Sequence, residues 1–255
     1  MRSALDGGTG VESLYVAPEG DADRAAREVC RQAQDAGIRV FPLAAGVMER
    51  VADTVTPQPV LAVVPMLDDP GPTAFEAAPS SLVVVMVDVR DPGNAGTVLR
   101  AADAAGVRCV FFAGDSVYPY NPKTVRSSAG SLFHVPFAVR SDASALAADL
   151  RSAGVRTLGT VVRDGEDYAQ VDWDVPSALF LGNESAGLDP ELCATLEGRI
   201  AVPMEGRAES LNVGIACAVV CFEALRQRRS GQRTAPSISP GMASPPVGST
   251  GGAAR

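Results

Sequence analysis

The sequence predicts an α/β fold with a mainly parallel sheet, and three observations lead there. Apolar runs of strand length alternate with stretches of helical periodicity along most of the 255 residues, the pattern of strand–helix–strand units. The run Leu82–Val87 is apolar at every position, so it fits a strand covered on both faces rather than one with a wet face. A content of 46% hydrophobic residues supplies a core large enough for such a sheet.

The elements follow in order. Residues 13–17 read as a strand, and residues 21–36 as an amphipathic helix started by Asp21 and stopped by Gly37. A strand at 39–41, a short helix near 46–52 and a strand at 60–64 complete a small α/β unit. The stretch 66–80, MLDDPGPTAFEAAPS, sets prolines, a glycine and acids between two apolar strands, which is linker chemistry. After Leu82–Val87 come helix 94–105, strand 108–112, helix 143–153, strands 155–161 and 178–181, helix 190–196, strand 199–202 and helix 211–228. From about Ser230 the chain is rich in Pro, Gly and Ser with almost no large apolar residue, the composition of a disordered tail. The domain reading is therefore 1–66, a linker at 67–80, a large domain at 81–229 and a tail at 230–255, with no internal repeat.

Composition bounds the chemistry. No apolar run approaches the roughly 18 residues of a membrane span, and the start MRSALDGGTG lacks an apolar signal region, so the expected location is cytoplasmic. Cys30, Cys109, Cys193, Cys217 and Cys221 form no CxxC pair and read as reduced core residues. The single histidine, His134, lies in HVPF and reads as a packed, hydrogen-bonded ring. Histidine-dependent triads and multi-histidine metal sites are thereby excluded, and no metal is expected. A net charge of −8 argues against general attraction to nucleic acid. Basic residues nonetheless gather at Arg90, Arg100, Arg108, Lys123, Arg126 and Arg140, enough for a local basic face on an acidic protein.

Three motifs each begin where an apolar strand ends. In the first, Asp91-Pro92-Gly93-Asn94 leads into a helix carrying Arg100; its residues fit a capped turn with a surface arginine, or an anion held at the helix start beside Arg100. The second, Gly182-Asn183-Glu184-Ser185-Ala186-Gly187, lets the backbone turn tightly and offers one carboxylate; it has neither the ending of a P-loop nor a G-x-G-x-x-G pattern. It fits a nucleoside-binding loop or a plain strand-to-helix connection. In the third, Ser210-Leu211-Asn212 opens the last helix, with Ser210 a natural N-cap and Asn212 an amide that capping does not explain. That helix is apolar on two stripes: Leu211, Ile215, Ala218, Phe222 and Leu225 on one, and Val213, Cys217, Val220 and Ala224 on the other. One stripe fits the sheet and the other a second subunit. A fourth stretch, Asn121 to Ser131, is either a solvated Ser-rich loop or a place where Lys123 and Arg126 hold phosphates.

Taken together, N-x-G-x-x-x-R at Asn94, Gly96 and Arg100, G-x-E-x-x-G at Gly182, Glu184 and Gly187, and the SLN start of the last helix resemble the SpoU (TrmH-like) group of SPOUT RNA 2′-O-ribose methyltransferases over residues 80–229. The preceding unit, above all Met48 to Val64, resembles the ribosomal-protein-like (L30e-like) RNA-binding domain often fused ahead of it, without that domain's first helix and strand. The resemblance implies a carboxyl-terminal trefoil knot and S-adenosylmethionine held by Thr160, Leu181, Gly182, Asn183, Val202, Met204, Leu211 and Asn212. It implies catalysis by Arg100 with Asn94, Glu184, Ser210 and Asn212 and RNA contacts at Arg100, Lys123 and Arg126, while the doubly apolar last helix is the ground for expecting a homodimer. Ribosomal RNA is the expected substrate, with transfer RNA the alternative. Two rivals are weighed against it. A noncatalytic RNA-binding protein on this fold has no use for Arg100, Glu184, Ser210 and Asn212 together, and a Rossmann-like enzyme needs a glycine fingerprint where this chain reads DPGNAG.

Overall fold

The computed structural model describes residues 10–234 apart from 53, 55, 72–77 and 79. The first nine residues of the amino-terminal unit, most of the second half of the expected linker, and the expected tail from residue 235 lie outside the described residues. Two sheets are present. The smaller has strands β1 (Ser13–Val16), β2 (Arg39–Pro42) and β3 (Val60–Val63) in the order β2-β1-β3, with β2 parallel and β3 antiparallel to β1. Helix α1 (Arg24–Asp35) covers one face, where Leu14, Val29 and Ala33 form a small core. A short helix, α2 (Val47–Val51), precedes β3. Helix α1 starts two residues later than Asp21 predicts, because Asp21 closes a 3₁₀ turn and the Asp23 side chain accepts from Ala25 N–H at 2.7 Å and Ala26 N–H at 3.1 Å.

The larger sheet is parallel throughout. Its strands are β4 (Leu82–Val87), β5 (Cys109–Ala113), β6 (Phe137–Arg140), β7 (Arg156–Thr160), β8 (Glu166–Asp167), β9 (Ser177–Leu181) and β10 (Gly198–Ala201), in the order β6-β5-β4-β9-β7-β10-β8. The chain lays β4, β5 and β6 outward to one edge, crosses to β7 and β8, then inserts β9 between β4 and β7 and β10 between β7 and β8. Every residue of β4, β5 and β9 is buried, as the continuous apolar run requires. Alternation splits β4 between two cores: Leu82, Val84 and Met86 face α3 (Pro92–Ala105) and α7 (Val213–Thr234), whereas Val83, Val85 and Val87 face α5 (Ala143–Ser152) and α6 (Pro190–Thr195). Strands β6 and β8 escape the sequence pattern, β6 because it is short and β8 because it is a two-residue charged edge.

Helix starts follow one local rule. Asp91-Pro92, Asn121-Pro122 and Asp189-Pro190 each put a capping oxygen before a proline at the first helical position, where the missing N–H costs nothing. Helix α3 therefore begins at Pro92 with Asp91 as its cap, two residues ahead of Asn94. The stretch after Asn121 is helix α4 (Pro122–Ser127) and not a solvated loop; Thr124 and Ser128 are fully buried. At the other end, α7 runs to Thr234, past the predicted end at 228.

Two glycines let α3 be gripped from both sides. A Cβ on Gly96 would lie 1.9 Å from Ser127 Oγ of α4, and one on Gly214 of α7 would lie 2.7 Å from Thr97 Cγ2 of α3. The linker is also held: Leu67 N–H donates to the Tyr120 hydroxyl at 2.6 Å, and Arg140 grips Asp69 through two nitrogens at 2.6 and 3.2 Å. His134 is exposed and not packed as HVPF suggests, but the ring is hydrogen-bonded as expected, with Nδ1 3.2 Å from Asp103 Oδ2. All five cysteines are free, but Cys30 and Cys193 are only partly buried. No helix among the described residues is long and apolar enough to cross a membrane. Gly96→Ala is expected to lower stability by about 1–3 kcal/mol through overpacking at the α3–α4 contact, read as a shift of the urea midpoint at unchanged slope.

Candidate active site

The site is assembled where parallel strands end together. Strands β4 and β9 are neighbours, so the first and second motifs leave the sheet side by side; β7 separates them from β10 and the third motif. At β4 the chain turns through Asp88, whose φ is 55° and whose carbonyl accepts from Asn183 Nδ2 at 2.8 Å. Asn183 also closes its own loop: its Oδ1 accepts from Ser185 and Ala186 N–H, and its backbone exchanges both hydrogen bonds with Gly187. The two glycines make that loop possible. Gly187 has a φ of 72°, and a Cβ on Gly182 would lie 2.1 Å from the Gly187 carbonyl carbon.

A relay of side chains ties the three motifs. Asn94 Nδ2 donates to Glu184 Oε1 at 2.9 Å, and Asn94 Oδ1 accepts from Asn212 Nδ2 at 2.8 Å. Glu184 Oε1 also accepts from Asp91 N–H at 3.3 Å, completing from another loop the cap that Asp91 gives α3. Asn212 Oδ1 accepts from Gly214 N–H at 2.9 Å and Ile215 N–H at 3.3 Å, so Asn212 and not Ser210 caps α7, which begins at Val213. Partial burial works against the charge of Glu184, but the Asn94 amide and the N–H groups of Glu184, Asp91 and Arg90 outweigh it and hold the carboxyl below its usual range. Asp91 is held low first by the Asn94 N–H and further by Lys123, whose Nζ lies 3.5 Å away.

Beside this relay lies a cavity of about 550 Å³. All eight positions expected at a cofactor line it: Thr160, Leu181, Gly182, Asn183, Val202, Met204, Leu211 and Asn212. Asn94, Glu184 and Ser210 line it too. Arg100, Lys123 and Arg126 do not: Arg100 is exposed on α3, about 9 Å along the helix axis from Asn94, and its side chain makes no hydrogen bond or ion pair among the described residues. Sequence reasoning missed Val161, Leu188, Ile200 and Ala216 as lining residues, and Asp91 as a cap. The Asp-Pro pair was the signal for Asp91; the others are apolar strand-end and helix positions with nothing to distinguish them from core. Among the described residues, no hydrogen bond engages the backbone of residues 203–211, of which Met204, Ser210 and Leu211 line the cavity and leave their polar groups open to a ligand. No group of three His, Cys, Asp or Glu side chains among the described residues is arranged to hold a metal ion.

The profile of the SpoU rRNA Methylase family matches residues 81–222, from the start of the parallel sheet into α7. The chain belongs to the SpoU rRNA methylase family. Two similar SpoU relatives are a 23S rRNA (guanosine(2553)-2′-O)-methyltransferase, RlmP, from Bacillus subtilis, 36% identical over 74% of this chain and 73% of that protein, and a 23S rRNA (uridine(2479)-2′-O)-methyltransferase from Streptomyces viridochromogenes, 34% identical over 90% of this chain and 80% of that protein. The crystal structure of the SpoU methyltransferase AviRb from Streptomyces viridochromogenes in complex with AdoMet superposes with a TM-score of 0.77 at 30% identity, covering 90% of this chain and 88% of that one.

The relay predicts an acid limb in the stability of this SpoU protein. Glu184 and Asp91 have folded-state pKa values below their unfolded ones, so their contribution is present above about pH 4.3 and is lost as pH falls through the folded values. Urea midpoints between pH 3 and 7 are expected to fall less steeply below about pH 4.5 for Glu184→Gln than for the parent chain. Parallel curves would remove Glu184 from the acid limb.

Proposed function

We propose that the protein transfers a methyl group from S-adenosylmethionine to a ribose 2′-hydroxyl of ribosomal RNA. The observation that carries this reading is the cavity formed by the second and third motifs and tied to the first through Asn94. The cavity fits the donor: apolar walls at Leu181, Ile200, Val202 and Leu211 suit a nucleoside, and the unengaged backbone of Met204, Ser210 and Leu211 suits its polar edges. Thr160, Gly182, Asn183, Met204 and Asn212 would complete the donor site. When bound, the donor supplies a methyl group already activated on a sulfonium, so the chain's task is alignment and charge.

In this reading Asn94, Glu184, Ser210 and Asn212 fix the ribose relative to the cavity. Arg100 faces the RNA. A guanidinium with a pKa above about 12 is a poor base, so Arg100 stabilises the negative charge that develops on the ribose oxygen while a substrate phosphate or water takes the proton. Lys123 and Arg126 on α4 hold flanking phosphates. The amino-terminal unit, residues 1–66, is an L30e-like RNA-binding domain joined through residues 67–80 to a catalytic domain at 81–229, and the enzyme works in the cytoplasm. The late insertion of β9 and β10 between earlier strands supports the trefoil knot of SPOUT enzymes. A homodimer is supported by Ile215 and Phe222, which stay 52% and 48% exposed on one stripe of α7.

Transfer of labelled methyl to ribosomal or transfer RNA followed by nucleoside analysis tests the reading, and the ribosomal substrate is expected to carry the label. Arg100→Ala is expected to lower the single-turnover rate about a hundredfold or more while donor affinity, measured by calorimetry in excess chelator, stays unchanged. Near-normal turnover would return the first motif to a capped turn. Sedimentation is expected to give a dimer at micromolar concentration, and Phe222→Glu a monomer; a monomeric parent chain would sink the interface.

A further inference from the structure

The small amino-terminal sheet has one face covered by α1 and one that carries a different chemistry. The register sets Ser13 opposite Arg39 and Val63, and Tyr15 opposite Phe41 and Leu61, so these six residues share the face turned away from Leu14, Val40 and Ala62. On it the Tyr15 and Phe41 rings stack with centroids 5.4 Å apart and planes 26° from parallel. The Arg39 guanidinium stands 5.7 Å from the Phe41 ring centre. Phe41 remains 38% exposed and Val63 39%, while Arg39 points to solvent. No carboxylate occupies any of the six positions, although the unit around them is rich in acids.

Size decides what fits. Three strands of four residues give a face of roughly 13 by 14 Å, far below the about 800 Å² per partner that a stable protein interface buries. Planar rings with a cation at their side match instead the faces of unpaired bases and the phosphates that link them. We propose that this face is a stacking platform for single-stranded RNA, with Phe41 and Tyr15 taking bases and Arg39 a neighbouring phosphate. The proposal rests on RNA being the substrate, and it assigns to the amino-terminal sheet a contact separate from the cavity. It gives an acidic protein a grip on RNA that depends little on long-range charge.

The test uses the full chain and a fluorescein-labelled RNA of ten uridines, with an RNA duplex of the same length alongside, read by anisotropy. Phe41→Ala and Tyr15→Ala are expected to weaken single-strand binding about five- to hundredfold each and to leave duplex binding unchanged. Arg39→Ala is expected to reduce the salt slope by about one. Phe41→Trp keeps the ring, so affinity is retained and its new indole emission is quenched by the oligonucleotide; Trp173, only 1% exposed, gives no such signal. Equal single-strand affinity in Phe41→Ala and the parent chain, or an unquenched indole at saturating RNA, overturns the platform. So does a loss of self-association in Phe41→Ala by sedimentation without loss of RNA binding, which would give the face to a second copy. Donor affinity and methyl transfer are measured on the same samples. Their absence from the parent chain sinks the methyltransferase reading, whereas their retention alongside RNA binding indifferent to Phe41 sinks the platform alone.

Discussion

One side-chain amide holds the cavity's surroundings in register. Asn94 gives its N–H to Glu184 and takes an N–H from Asn212, so a single planar group reads an acceptor on one loop and a donor on another. Aspartate has no donor for Glu184 and would set two carboxylates against each other; leucine would take the acceptor from Asn212 Nδ2 and leave Glu184 with backbone N–H donors alone. The relay is also a set of helix caps. Asn212 caps α7, and Glu184 accepts the backbone N–H of the residue that caps α3, so the caps of two helices meet in one hydrogen-bond relay. Stability and site geometry therefore share the same atoms.

The relay is possible because of strand order. Parallel strands all deliver their carboxyl ends to one edge, and late insertion of β9 next to β4 makes neighbours of segments some ninety residues apart, as in the Asn94–Glu184 contact. Helix α3, pinned by Gly96 against α4 and by Thr97 against Gly214 of α7, then holds Arg100 on a rigid support outside the cavity. A residue so placed fits a large substrate that reaches across the surface better than a small one enclosed in the cavity.

Charge is distributed to match. The chain is acidic overall, yet Arg90, paired with Asp115, directly precedes the first motif, and Lys123 sits beside Asp91 at the α3 cap. The linker is not a free tether either, since Tyr120 and Arg140 fasten Leu67 and Asp69 to the large domain. Proline and acid content marked the segment as irregular; its attachment required partners more than fifty residues away.

By itself the sequence determined the fold class and the parallel sheet, and the family resemblance of its three motifs pointed to eight of the positions that line the cavity. Burial leaves a local mark, since Leu82–Val87 has no polar residue, whereas Gly182, Asn183, Met204 and Leu211 were legible only through the resemblance of their motifs to the SpoU group. It misplaced helix starts by two or three residues, because Ser210 and Asn94 look like caps in isolation while Asn212 and Asp91 do the work. The tertiary structure alone decided that Asn94, Glu184 and Asn212 bond to one another, that Gly96 serves a helix contact, and that Arg100 stands clear of the cavity. Each depends on strand order and helix packing, and contacts between residues ninety or more apart leave no periodicity for a local pattern to carry.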